Sequence, residues 1–82
     1  MDQRFSELLV SLLPLLSGRP ITPDTRLREN GLDSMQSVEL LYGIEDTFAI
    51  TLPDEALDDE TFATAGALWE AVRTELDARD RV

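Results

Sequence analysis

Gly31-Leu32-Asp33-Ser34-Met35-Gln36-Ser37-Val38-Glu39-Leu40-Leu41-Tyr42-Gly43-Ile44-Glu45-Asp46-Thr47-Phe48 is the stretch on which the reading of this chain turns. An Asp-Ser pair after a glycine reads first as a helix start. Asp33 can accept a backbone N–H of the first turn, and Gln36, three residues on, can return the bond in a capping box. The helix predicted from there runs to about Ala49. At about 100° per residue, Leu40, Leu41, Ile44 and Phe48 fall on one side, and Met35, Val38 and Tyr42 on nearly the opposite one. One apolar face is what a surface helix needs for its core. The second either packs under a neighbouring loop or is kept for a partner. Glu39 and Asp46 share it, and two unpaired carboxylates are costly to bury. A solvated docking face is therefore expected, suited to an apolar groove with a basic rim.

Working outward, Phe5, Leu8, Leu9, Leu12, Leu13 and Leu16 recur at three- and four-residue steps and predict a first helix from about Asp2 to Leu16. Pro14 should kink or end it. Ser17 to Asp33 is a connection longer than most, rich in Gly and Pro, with Ile21, Leu27 and Leu32 as anchors and Asp24-Thr25 suited to a turn. Beyond the second helix, Pro53 closes a short connection and Asp54–Leu57 is expected to form a short helix. Thr64 should cap a last helix carrying Leu68, Trp69, Val72 and Leu76. Arg79 to Val82 are expected to fray. The fold class is all-α: an irregular four-helix bundle of three longer helices and one short one, with a long first loop. Residues 1–82 read as a single domain with an ordered core over about 3–78.

Composition narrows the chemistry. The 82 residues include no Cys, His or Lys, so thiolate nucleophiles, disulfides, imidazole bases and imidazole metal ligands are all excluded. Asp58-Asp59-Glu60 lacks the spacing of a calcium loop, and no metal is expected. Seven Arg stand against seventeen Asp and Glu, a net charge of −10. Such a surface repels nucleic acid and anionic membranes and favours basic protein surfaces. With no secretory leader and no long apolar run, a cytoplasmic protein is expected.

Gly31 to Leu41, continuing through Ile44-Glu45-Asp46-Thr47-Phe48 to Pro53-Asp54-Glu55, resembles the acyl and peptidyl carrier protein family. The likeness extends from about Phe5 to Leu76. It implies that Ser34, with Asp33 before it, is the attachment site of a covalent 4′-phosphopantetheine arm, whose thiol this thiol-free chain lacks. A phosphopantetheinyl transferase would transfer that arm from coenzyme A and supply the base and Mg²⁺ itself. The resemblance also implies that Met35, Val38, Glu39, Tyr42, Glu45 and Asp46 are offered to partner enzymes, with Leu40 and Phe48 in the core. Expected partners are the transferase, an acyltransferase or adenylating loading enzyme, and downstream synthase enzymes with basic docking surfaces. Gln36 where an acid is usual, Gly43, and Thr47 in place of another acid depart from the commonest fatty-acid pattern. The reading is a free-standing, monomeric, non-catalytic carrier of acyl or aminoacyl thioesters in polyketide or nonribosomal-peptide-type specialised biosynthesis. The alternatives are a fatty-acid synthesis carrier and a helical adaptor that bears no prosthetic group.

Overall fold

Asp2 opens the first helix: its carboxylate accepts the Arg4 backbone N–H at 2.8 Å, satisfying one donor that a helix start leaves unpaired. Helix α1 spans Gln3–Leu12. It stops short of the expected Leu16 because Pro14 has no N–H to continue the ladder and pushes Leu13 out of the helical region, to φ −114° and ψ 82°. A 3₁₀ turn over Pro14–Leu16 carries the apolar stripe onward, so Leu13 and Leu16 remain buried.

The computed structural model describes residues 2–16, 18–53 and 58–80. Helix α2 spans Ser34–Phe48 and helix α3 spans Ala65–Asp80. The short helix expected at Asp54–Leu57 lies outside the described residues. The buried face of α2 is Leu40, Ile44 and Phe48, as its periodicity predicts. Phe5 of α1 and Phe48 of α2 both pack on the half-buried Trp69 of α3, with ring centroids 5.1 and 5.9 Å away. Each such buried side chain contributes about 1.5–3 kcal/mol through the water it leaves, so this aromatic junction is a principal bond between the three helices.

The long connection is a working part of the bundle. Leu27 and Leu32 are buried and Ile21 packs against the core. Between them, a second 3₁₀ turn over Arg28–Asn30 buries Asn30. The Asn30 Nδ2 donates to the Arg26 carbonyl at 2.6 Å, and its Oδ1 accepts from Arg19 Nη2. Arg19 also donates to the carbonyls of Leu15 and Leu16 at 3.0 and 2.9 Å, closing the first 3₁₀ turn. The same loop caps α3. The N–H groups of Ala65 and Gly66 donate to the carbonyls of Thr25 and Pro23, both at 2.9 Å, and Thr64 Oγ1 accepts from the Ala67 N–H at 3.2 Å.

One expectation at the C-terminus is corrected for Arg79 and Asp80, while Arg81 and Val82, also expected to fray, lie outside the described residues. Arg79 is helical and anchored, donating from Nη1 to the Phe48 carbonyl at 2.7 Å. A cation at the end of α2 meets unpaired carbonyls and the negative pole of the helix, and that attraction opposes fraying.

Candidate functional site: the start of helix 2 and its exposed face

Gly31 makes the turn that leads into α2. Its φ is +106°, a region L side chains rarely adopt, and an added Cβ would lie 2.9 Å from the Pro14 ring. Leu32 is then buried, and its N–H donates to the Leu27 carbonyl at 3.1 Å. Asp33 is extended, with φ −98° and ψ −176°. Its Oδ1 accepts the Gln36 N–H at 2.8 Å, and its carbonyl accepts both the N–H and the hydroxyl of Ser37, at 2.9 and 2.8 Å.

The expected capping box closes on one side only. The Gln36 amide does not return to Asp33. Its surroundings orient it with the nitrogen towards two carbonyls, Gly31 at 2.7 Å and Leu12 at 3.2 Å. Both oxygens are left over at chain turns, Leu12 because α1 ends there, and an amide turned to donate to them no longer offers its oxygen to the Asp33 N–H.

Ser34 is the first residue of α2 and is exposed. Its hydroxyl has no hydrogen-bond partner among the described residues, and no imidazole exists in the chain to deprotonate it. The Ser34 hydroxyl is thus exposed and unengaged, with no imidazole base of its own beside it.

From Ser34 the exposed face of α2 runs towards its C-terminus. Met35 is 79% exposed, Val38 48% and Tyr42 65%, with Glu39 and Asp46 exposed beside them. Glu45 stands apart from this group. It is half-buried, and its Oε2 accepts the Leu52 N–H at 3.1 Å, fastening the connection that follows α2. The sequence reading missed Leu15, which is 59% exposed and lies beside Gly31. The available signal was its place outside the three- and four-residue apolar repeat of the first helix. Gly43, costly in a helix interior, faces Leu8 of α1, where a Cβ would come within 3.1 Å. A groove of about 700 Å³ opens on another part of the surface, between α1 and the loop, lined by Val10, Leu13 and Ile21 among others and not by Ser34.

Residues 3–72 match the family model described as the phosphopantetheine attachment site. The chain belongs to that family of carrier proteins. It is 37% identical over 60 residues to the aminoacyl carrier protein of Agrobacterium fabrum, a match covering 73% of this chain and 72% of that one. It is 42% identical over 53 residues to the mitochondrial acyl carrier protein of Dictyostelium discoideum, covering 65% of this chain and 44% of that protein, so the chain spans less than half the length of that relative. Among solved structures, it resembles the carrier protein from Agrobacterium tumefaciens complexed with an engineered Bradyrhizobium japonicum glycine:[carrier protein] ligase and AMP. There the TM-score is 0.73 at 33% identity, covering 89% of this chain and 99% of that one. It also resembles the cognate carrier of the Bradyrhizobium japonicum ligase, bound with an analogue of glycyl adenylate, at a TM-score of 0.69 and 29% identity over 89% and 99% of the two chains.

The family's prosthetic group is 4′-phosphopantetheine, and the start of α2 suits it. An exposed hydroxyl stands where the first-turn N–H groups of a helix lack intrahelical partners and favour an anion such as a phosphodiester. The Asp33 carboxylate opposes that field, but its Oδ1 is engaged in capping. When bound, the group supplies the thiol on which cargo is held.

Proposed function

We propose that Ser34 carries the phosphopantetheine arm and that the chain receives an amino acid or related acyl group from an adenylating enzyme. It then delivers that cargo to further enzymes of a polyketide or nonribosomal-peptide-type specialised pathway. The single observation that supports this reading best is the unengaged, exposed Ser34 hydroxyl at the first turn of α2, inside the matched family region. The choice of an adenylating loading enzyme is supported by likeness to two carriers whose structures are complexes with glycine:[carrier protein] ligases. Delivery fits a surface that binds transiently: Met35, Val38 and Tyr42 offer a narrow apolar stripe, and Glu39 and Asp46 add steering charge.

Likeness to mitochondrial and chloroplastic acyl carrier proteins favours a second reading, a carrier of fatty acyl chains. The two readings part on cargo. The arm-bearing protein is incubated separately with ATP, single amino acids and an aminoacyl ligase, and with malonyl-coenzyme A and its transacylase, and then weighed intact. The proposal expects efficient aminoacyl loading in the first reaction. Loading by the transacylase alone selects the fatty-acyl reading instead.

A further inference from the structure

Gln36 reaches both sides of the turn that leads into α2. Gln36 donates its backbone N–H to Asp33 Oδ1 at 2.8 Å, on one side of Ser34. Its side-chain amide faces two acceptors, and with the nitrogen assigned to that side it lies 2.7 Å from the Gly31 carbonyl and 3.2 Å from that of Leu12. The first of these bonds fixes the cap, the second fixes the glycine three residues before Ser34, and the third ties both to the end of α1. The two side-chain contacts need a group with two N–H donors, which an amide has and a carboxylate lacks. A glutamate here would aim lone pairs at two carbonyl oxygens and swing outward. Nothing else among the described residues bonds the Gly31 carbonyl, while Leu32 and Asp33 each have their own anchors.

We propose that Gln36 is a positioning residue for arm transfer: by bridging Gly31 and Leu12, its amide holds the 31–34 turn so that the Ser34 hydroxyl meets the transferase in one fixed geometry. This rests on Ser34 as the attachment residue. Gln36 is half-buried behind the turn, away from the exposed Met35–Tyr42 stripe, so its loss changes how Ser34 is placed after docking and leaves the docking surface intact.

The test is steady-state arm transfer from coenzyme A by a phosphopantetheinyl transferase to the full chain, comparing wild type with Gln36→Glu and Gln36→Met. Amide hydrogen exchange is followed at residues 31–37. Expected is a kcat lower by about tenfold, the scale on which small misplacement of a reacting group acts. KM should stay within about twofold while exchange in the turn accelerates and helical circular dichroism is kept. If either variant loses its helical signal, Gln36→Asn takes its place, since an amide one methylene shorter cannot reach both carbonyls. An unchanged kcat overturns the proposal. So does a rise in KM alone, which would make Gln36 a contact of the transferase. Peptide mapping of the modified wild type separates the two readings: an arm on any residue other than Ser34 defeats the assignment of the site, whereas an arm on Ser34 with unaffected Gln36 variants defeats only the positioning role.

Discussion

Arg79 and Phe48 are joined across the bundle, the Arg79 guanidinium donating to the Phe48 carbonyl at 2.7 Å and reaching that of Ala49 at 3.4 Å. The last turn of α3 thereby closes the end of α2, where Ala49 adopts a left-handed φ of 54° and its N–H bonds back to the Glu45 carbonyl. At the same place the Glu45 carboxylate holds the Leu52 N–H. The helix that begins at Ser34 is thus fixed at both ends, by its own Gln36 reaching the loop at one and by Arg79 of α3 at the other.

Removing the guanidinium should be felt as stability. Arg79→Leu, which keeps the aliphatic stem, is expected to cost about 1–2 kcal/mol in urea unfolding. Transferase kinetics at Ser34, 45 residues earlier in sequence, should be unaffected under folding conditions.

Gly31→Ala meets two obstacles, a left-handed backbone and a Pro14 ring 2.9 Å from the new Cβ. A loss of about 2 kcal/mol or more in denaturant unfolding is expected. Gly18, also at positive φ but with open space around it, should cost less on the same change.

The exposed stripe predicts a separation of binding from stability. Tyr42→Ala should leave unfolding within about 0.5 kcal/mol of wild type yet lower kcat/KM for the loading enzyme by about tenfold, as an aromatic anchor does. Glu39→Arg should slow loading as well, and its effect should fade with added salt because it acts through exposed charge. Glu45→Ala, by contrast, should act on stability, since the side-chain oxygen that accepts the Leu52 N–H is lost.

Acid should weaken the start of α1. The Arg4 side chain, followed by the Arg4 backbone N–H, bonds the Asp2 carboxylate and holds its pKa below the ordinary value. Because the folded value lies below the unfolded one, the contribution is present above the unfolded pKa and is lost as pH falls through the folded one. Melting temperatures of wild type and Asp2→Asn should therefore differ near neutrality and converge as pH falls below the ordinary carboxylate range.

Much of this was legible in the sequence because it rests on local rules. The 3.6-residue period located the buried Leu40–Ile44–Phe48 face, Pro14 marked the end of α1, and Asp33 and Thr64 announced their helices. The exposure of Met35, Val38 and Tyr42 followed from the carboxylates sharing their face. What escaped was long-range. Arg79 to Phe48, Gln36 to Leu12 and Arg19 to Asn30 pair residues between 11 and 31 positions apart or join a side chain to a distant carbonyl, and no periodicity encodes such partners. Glu45 was grouped with the partner face through the family resemblance, and only the path of the chain at Leu52 shows what occupies its carboxylate.

The claim beneath all of this is that one hydroxyl, that of Ser34, takes the prosthetic arm. Intact-mass spectrometry of wild type and Ser34→Ala after treatment with a phosphopantetheinyl transferase, Mg²⁺ and coenzyme A measures it directly. The account predicts a single added arm on the wild type and an unchanged mass for the alanine variant. An arm on Ser34→Ala, or none on a folded wild type that competes with another carrier for the same transferase, would contradict it.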